Sequence, residues 1–307
     1  MQKISRQKTV EGTRIPAIIR NGNFHYINME IYEDGMVNCW DLVDIKGLKE
    51  KLKTNWLVTQ IPEGEHISIF HLGNYKVIEA RWDHDNKSYF NYIKKIIKKI
   101  NPKLTNIYTV TEMEKEKLER RRIRYSPSPK EFYVKSELGY RTVEGEGFTV
   151  FFKHDSKNYL VNLVVYKDGN IVCYNAEFEI KYTIENIKEM FNEGIFFTSF
   201  NQPIPVIFSG LGELTLSNSS GCSVDIHEKY KELKDIHDKL NGSESILDRC
   251  RNAYLQYLQY PSEEARECLR TLYEQVPDHE RIYLGDMDSR NTDYERILYH
   301  PQHKREV

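Results

Sequence analysis

The sequence lacks the features that mark several large classes of protein. No apolar run reaches the roughly 20 residues that span a bilayer, and the first eight residues are polar, without the apolar core of a secretion signal. The five cysteines are odd in number, scattered, and never spaced as CxxC. That pattern argues against a disulfide framework or a four-cysteine zinc site. These absences predict a cytoplasmic protein with reduced thiols and no membrane association.

Sequence motifs for common cofactors and reactions are also missing. There is no GxxxxGKS/T phosphate loop, no GxGxxG that opens a helix after a strand, no HExxH, no GxSxG and no zinc-deaminase pattern. The 44 lysines and arginines nearly cancel the 46 acidic residues, so the surface as a whole is not built to bind nucleic acid or an anionic membrane. The sequence therefore predicts no cofactor and favours a protein that is not an enzyme.

What the sequence does contain is one hairpin pattern twice. Residues 32–36 read Tyr-Glu-Asp-Gly-Met and residues 166–170 read Tyr-Lys-Asp-Gly-Asn, each followed by a cysteine and then an aromatic residue. The match extends upstream, where residues 10–12 and 143–145 both read Val-Glu-Gly. The common order of these matches indicates an internal duplication. Two copies are too few for a solenoid.

Hydrophobic periodicity predicts the same elements in each copy. Alternating apolar and polar residues indicate a three-stranded meander, followed by one short helix and a hairpin. The expected fold class is α+β: a tandem duplication of mainly antiparallel units, a helical linker and a C-terminal helical segment. The predicted boundaries are 10–82 for the first unit, 83–142 for the linker, 143–220 for the second unit, and 221–307 for the C-terminal helices and polar tail.

The Asp-Gly turn of each hairpin determines which side chains face the core. A three-residue loop with glycine in the left-handed position pairs Ile31 with Val37 and separates apolar from polar faces, whereas a two-residue loop mixes them. In this register Cys39 and Cys173 are core residues. Exposed aromatic residues beside asparagines are typical of protein recognition. The candidate binding residues on the outer face of the first copy are Asn28, Tyr32, Asn38 and Trp40.

The outer face of the second copy is apolar, so it requires a cover. Its residues are Val164, Tyr166, Val172 and Tyr174. An apolar stripe in the predicted helix 244–259 is expected to dock there.

Two charged clusters offer alternative functions. The linker run Arg120, Arg121, Arg122 and Arg124 is the strongest nucleic-acid signal, although the acidic residues before it favour a solvated face. In the tail, Asp286, Asp288 and Asp293 are candidate ligands for metal-dependent hydrolysis, with a hydrogen-bonded turn as the structural alternative. An EF-hand loop is excluded because its required glycine is Asn291. His71 aligns with Gly210, has no histidine counterpart, and is interpreted as structural or solvated.

The sequence thus predicts a non-enzymatic protein–protein interaction module of a bacterial system. It is expected to bind a protein partner of unknown identity through the outer face of the first copy. Association with nucleic acid and metal-dependent hydrolysis remain open as alternatives.

Overall fold

The computed structural model describes residues 8–108, 122–125, 132–135, 141–285 and 291–303. Two stretches of the chain contain the same order of elements. The first half comprises β1 (Lys8–Asn21), β2 (Asn23–Tyr32), β3 (Val37–Asn38), β4 (Leu42–Val43), α1 (Ile45–Lys53), β5 (Leu57–Val58), β6 (His66–Ile69), β7 (Gly73–Trp82) and α2 (Asn86–Ile100). The second half comprises β10 (Arg141–His154), β11 (Lys157–Tyr166), β12 (Asn170–Tyr174), β13 (Glu179–Thr183), α3 (Ile184–Asn192), β14 (Phe196–Phe197), β15 (Ile204–Phe208), β16 (Gly212–Ser223) and α4 (Ile226–Leu240).

The remaining described elements lie between the halves and at the C-terminus. Between the halves are β8 (Arg122–Tyr125) and β9 (Phe132–Lys135). After α4 follow α5 (Ile246–Gln259), α6 (Glu263–Gln275), a 3-10 helix (Asp278–Leu284) and α7 (Asn291–Tyr299). The last two lie in the segment that the sequence analysis described as a polar tail.

The strands form one large mixed sheet. Its main path runs β13-β12-β11-β15-β16-β7-β6-β2-β1-β5. Most neighbours are antiparallel, but β2 with β6, β11 with β15, and β1 with β8 are parallel. The first two parallel pairs arise because the chain crosses over through α1 or α3 between the paired strands, and parallel neighbours require such a crossover. The expectation of a mainly antiparallel unit omitted these pairs.

The two halves join through their final strands. β7 and β16 pair antiparallel, with Ala80 opposite Leu214. Across this junction the Tyr75 hydroxyl donates a 2.7 Å hydrogen bond to the Thr198 carbonyl, and its ring meets that of Phe151 edge-on at 5.1 Å. One continuous apolar core therefore underlies both halves.

A helix follows each half and packs on the sheet. α2 begins with a capping box in which Asp85 and Ser88 bond to each other's backbone, and it buries Tyr89, Ile93 and Ile97 in the main core. The helix that the sequence placed in a linker therefore packs with the first half. α4 contributes Leu233 and Ile236 to the same core.

The predicted hairpin register is confirmed in both halves. Ile31 lies opposite Val37, and Leu163 lies opposite Cys173. Cys39 and Cys173 are fully buried. The three-residue loop is favoured over the two-residue loop because it gives the two faces of each hairpin different polarity.

A glycine lies under a tyrosine ring at the equivalent place in each half. Gly12 is opposite Tyr32, and Gly145 is opposite Tyr166. A Cβ added at either glycine would lie 2.6 Å from the ring of the facing tyrosine. The Val-Glu-Gly motif that recurs in the sequence thus provides room for a cross-strand ring.

The apolar outer face of the second half is buried, but the predicted cover is wrong. Val164, Tyr166, Val172 and Tyr174 cluster with Val143 of β10. The stripe in α5 instead belongs to a separate C-terminal core. The members of that core include Ile246, Cys250, Ala253, Leu269, Tyr273, Val276, Leu284, Tyr294, Ile297 and Leu298. The stripe packs there because α6, α7 and the 3-10 helix supply apolar partners for it. The prediction missed these partners because the segment that contains them is mostly polar.

Candidate functional site

A cleft of about 1630 Å³ is lined by strands and helices of the described part of the chain. Strands from both halves line it, including β2, β3 and β6 of the first half and β10, β11 and β12 of the second. Helices α4 and α5 and the 3-10 helix complete the wall. Pockets for small ligands usually measure about 300–1,000 Å³. This cleft has room for a larger occupant.

Three of the four predicted binding residues line this cleft, namely Asn28, Asn38 and Trp40. Tyr32 is placed differently: only 4% of its surface is exposed, and it packs in a small cluster with Val10, Met36, Tyr108 and Leu42. Val10 and Tyr108 reach it from outside the hairpin, so the alternation of the strand alone did not reveal its burial.

Trp40 combines exposure with an uncommon backbone conformation. Trp40 is 56% exposed, and its φ of 74° lies in the left-handed region. A non-glycine residue held there costs about 1–3 kcal/mol. Burial of the indole does not offset that cost. The ring lies 5.7 Å from that of His25, tilted by 39°, which places an aromatic pair at the cleft.

The Glu30 carboxylate organises the polar side chains around Asn38. It accepts hydrogen bonds from Asn38 Nδ2 at 2.8 Å and from the Tyr32 hydroxyl at 2.7 Å, and it pairs with Arg14 Nη2 at 2.9 Å. Burial raises the pKa of Glu30, but the bonds from Tyr32 and Asn38 and the charge of Arg14 outweigh burial and leave its pKa lowered. The carboxylate therefore stays ionised and fixes the Asn38 amide at the cleft.

The lysine and arginine side chains that line the cleft are paired with carboxylates. There are three such side chains, and each has an acidic partner among the described residues. The pairs are Arg14 with Glu30 at 2.9 Å, Lys239 with Glu146 at 2.8 Å and Arg251 with Asp248 at 2.9 Å. Phosphate recognition depends on cations that can turn toward the ligand. The lining also offers amides, hydroxyls and aromatic rings, together with the carboxylates of Glu232, Asp235 and Glu280.

A second group of cleft residues combines two histidines with two glutamates. His71, Glu232 and Glu280 line the cleft, and His279 lies beside them. Each of the four offers one nitrogen or oxygen atom, and these atoms all lie within 4.8 Å of one another. The residues come from the β6–β7 turn, α4 and the 3-10 helix. This arrangement has the donor types of a transition-metal site.

A buried lysine supports this group. Lys229 Nζ lies 2.5 Å from Glu232 Oε2 and 3.7 Å from the centre of the Phe148 ring. Burial lowers the pKa of Lys229, against the opposing effect of Glu232. Burial also raises the pKa of Glu232, but hydrogen bonds from His279 and Lys229 leave it lowered overall. Glu232 is thus the negative centre of the group.

Burial also shifts the pKa values of two further members of the group, Glu280 and His71. Burial, followed by the nearby charge of Glu232, raises the pKa of Glu280 to about 7. Burial lowers the pKa of His71 to about 4, although Glu232 acts the other way. His71 is therefore neutral at pH 7, which is the form of imidazole that binds metals.

The remaining predicted site residues lie apart from the cleft or outside the described residues. Arg120, Arg121, Asp286 and Asp288 lie outside them. Arg122 and Arg124 lie in β8, which pairs parallel with β1. Asp293 is buried in α7, and Arg296 Nε lies 3.4 Å from its Oδ1.

Sequence reasoning missed the histidine–glutamate group. His71, Glu232 and the pair His279-Glu280 are widely separated along the chain, so no spacing connects them. The one available signal was that His71 lacks a counterpart in the second half, which marks a position where the two halves differ.

Comparison with known proteins gives a family but no activity. The model of a domain of unknown function, DUF7638, matches residues 1–104 and 132–244. The chain belongs to the DUF7638 family. Residues 245–306 match a second domain of unknown function, DUF7639. No curated protein and no solved structure matches the chain.

The two DUF7638 segments reach beyond the predicted repeat units. The first ends after α2 and the second ends after α4. The DUF7639 segment holds α5 to α7, whose apolar side chains form the separate C-terminal core. No helix in the described ranges of the chain has the length and apolar character needed to cross a bilayer.

Proposed function

We propose that this DUF7638 protein is a protein–protein interaction module that holds a segment of a partner polypeptide in the cleft. The observation that carries the proposal is Trp40. A large aromatic side chain is kept exposed, in a left-handed backbone conformation, at a cleft whose neighbouring groups are the amides of Asn28 and Asn38. Aromatic residues of this kind dominate the energetics of protein interfaces.

The size and chemistry of the cleft support a polypeptide as the occupant. Its volume of about 1630 Å³ exceeds the usual range for small ligands. Side-chain amides match the donors and acceptors of a peptide backbone. The paired state of Arg14, Lys239 and Arg251 disfavours a phosphate-rich occupant. Nucleic-acid association through the Arg120–Arg124 run remains a separate prediction.

We also propose that the two halves descend from a duplication. The shared order of elements, the two matches to one family model and the paired positions of Gly12 and Gly145 support it. The exposed aromatic residue at the cleft is then a feature of the first half only, because Tyr174 of the second half is buried where Trp40 of the first is exposed. Divergence after duplication accounts for that difference.

The proposed setting is the bacterial cytoplasm. Cys39, Cys173, Cys250 and Cys268 are free thiols, and Cys268 is exposed. Exposed free thiols are typical of reducing compartments. This supports the cytoplasmic expectation drawn from composition.

The test is a comparative pull-down from the native host, with nuclease added before washing. The full chain, its Trp40→Ala variant and its Tyr260→Ala variant carry the same tag. Tyr260 is a matched control because it is 71% exposed and does not line the cleft. We expect a stoichiometric polypeptide with the unchanged chain and with Tyr260→Ala. We expect at least a tenfold loss with Trp40→Ala, as for an interface hot spot of about 2 kcal/mol.

Two results would overturn the proposal. One is equal recovery of the polypeptide with all three proteins, which would place its binding elsewhere. The other is loss of the captured material after nuclease, which would favour the Arg120–Arg124 alternative.

A further inference from the structure

The histidine–glutamate group is assembled from three separate parts of the fold. His71 lies in the tight turn after β6, Glu232 in α4, and His279 and Glu280 in the 3-10 helix. Their nitrogen and oxygen atoms all lie within 4.8 Å of one another. Acidic residues that neighbour each other on a surface often bind no ion. Two imidazoles and two carboxylates that come together from distant segments, however, form a defined set of ligands.

Three side chains of this group, those of His71, Glu232 and His279, are held in place before any ion binds. His279 Nε2 lies 2.8 Å from Glu232 Oε2, and both side chains are at least nine-tenths buried. His71 Nε2 lies 3.0 Å from the Tyr283 hydroxyl, and the His71 ring meets that of His279 edge-on at 5.3 Å. Metal-binding histidines and carboxylates are usually oriented by such hydrogen bonds from surrounding groups.

The group also has binding capacity that the described residues leave unused. His279 Nδ1 is buried and finds no hydrogen-bond partner among them. No donor in the described ranges hydrogen-bonds to the half-buried Glu280 carboxylate. A buried polar atom without a partner is unfavourable, so such atoms call for an explanation. An ion that binds here would give the Glu280 carboxylate a partner and offset the repulsion between the two carboxylates.

We propose that His71, Glu232, His279 and Glu280 form a binding site for a divalent transition-metal ion, with Zn²⁺ as the preferred ion. Two imidazole nitrogens with two carboxylate oxygens give the mixed four-coordinate set that Zn²⁺ accepts. Mg²⁺ and Ca²⁺ favour sites made of oxygen alone. Binding would replace the His279–Glu232 hydrogen bond by bonds to the ion, while Lys229 remains bonded to the Glu232 carboxylate.

The ion would be accessible from the cleft. His71, Glu232 and Glu280 line the cleft, whereas His279 lies behind them. An ion coordinated by these residues therefore faces the space in which an occupant lies. A carboxylate or carbonyl oxygen of the occupant is the kind of group that would reach it. The metal site stands independently of the proposed polypeptide partner.

The experiment titrates the full, chelator-treated chain with Zn²⁺, Mn²⁺ and Mg²⁺ by calorimetry and follows the thermal midpoint in parallel. We expect one high-affinity Zn²⁺ per chain, weaker Mn²⁺ binding and no comparable Mg²⁺ binding. His71→Asn and Glu280→Gln should each weaken Zn²⁺ binding by about tenfold or more. Asn is chosen at position 71 because it tolerates the left-handed φ of 54°.

The control variants are His303→Asn and Cys268→Ser, because an exposed histidine pair or an exposed thiol is an alternative zinc ligand. Both should bind Zn²⁺ as the unchanged chain does. Co²⁺ provides a further readout: the site predicts visible bands of tetrahedral nitrogen and oxygen coordination, without a thiolate charge-transfer band.

Circular dichroism of the metal-free variants checks that each is folded. Glu280→Gln is expected to fold because it removes a half-buried carboxylate that lacks a hydrogen-bond donor, so at least one variant reports on the site. Two results would overturn the proposal: no Zn²⁺ binding by the folded full chain, or Zn²⁺ binding that is unchanged in both His71→Asn and Glu280→Gln.

Discussion

Asn38 and Glu30 face each other across the β2–β3 hairpin, and Asn38 Nδ2 donates a 2.8 Å hydrogen bond to Glu30 Oε2. Because Glu30 also pairs with Arg14 and accepts from Tyr32, one carboxylate holds three donors in place. An amide in its place would present a donor to groups that are themselves donors. We predict that Glu30→Gln lowers the free energy of unfolding at pH 7 by about 1.5–3 kcal/mol, as measured by urea unfolding.

The same variant predicts a pH dependence. The pKa of Glu30 is lowered in the folded protein below its ordinary value of 4.5. Its stabilisation is therefore complete above the unfolded-state pKa and is lost as the pH falls through the lower folded-state pKa. The difference in unfolding free energy between the unchanged chain and Glu30→Gln should shrink below about pH 4.5. A difference that stays constant down to pH 3 would contradict this role for the carboxylate.

The buried Lys229–Glu232 pair predicts a large effect from removal of one partner. Lys229→Met leaves the Glu232 charge buried without its lysine, and we expect a loss of about 3–5 kcal/mol in unfolding free energy. The double variant Lys229→Met with Glu232→Leu should be less destabilised than the single one, because no uncompensated charge remains. Lys231→Met is the control, since Lys231 pairs with Glu228 at a partly exposed position and should lose no more than about 1 kcal/mol. Equal losses in all three would contradict the account.

We predict that substitution of the glycine beneath Tyr32 and of the glycine beneath Tyr166 destabilises the fold to a similar extent. Gly12→Ala and Gly145→Ala each place a methyl group 2.6 Å from a cross-strand ring. We expect each to lower the unfolding free energy by about 1–3 kcal/mol, because the ring or the strand must move. Thr13→Ala, one residue along β1, is the control and should have a smaller effect. A neutral result at both glycines would show that the rings adjust freely.

We predict that the Trp40 side chain contributes to binding but little to the stability of the fold. Trp40→Ala should leave the unfolding free energy within about 0.5 kcal/mol of the unchanged chain, because the indole is largely exposed. Trp40→Gly should be at least as stable as Trp40→Ala, because glycine adopts the φ of 74° without strain. Thermal and urea unfolding check both values. A loss above 2 kcal/mol in Trp40→Ala would make the indole a core residue.

Local features of the fold were predictable from the sequence. The register of both hairpins followed from the Asp-Gly turn and from the alternation around it, because a shift by one residue would expose the apolar set. The helix that an apolar stripe predicted at 244–259 is observed as α5, Ile246–Gln259. These signals lie within a single element and its neighbours.

Long-range features were not predictable from one sequence. The pairing of β7 with β16 joins segments from different halves, and no period or turn connects them. Tyr32 is buried because Val10 and Tyr108 reach it from elsewhere in the chain. The apolar stripe of α5 packs against residues of the tail such as Tyr294 and Leu298. The polar composition of the tail gave no indication that these residues form a core. The histidine–glutamate group escaped notice for the same reason.

The most direct test of the central claim asks what lies in the cleft inside the cell. A photo-reactive benzoyl-phenylalanine replaces Phe70, which lines the cleft and is 72% exposed, or Tyr260, which is 71% exposed and lies outside it. After irradiation in the native host, the account predicts a covalent polypeptide adduct at position 70 and none of comparable yield at position 260. Equal adducts at both positions, or no polypeptide adduct at position 70, would contradict a cleft that binds a partner protein.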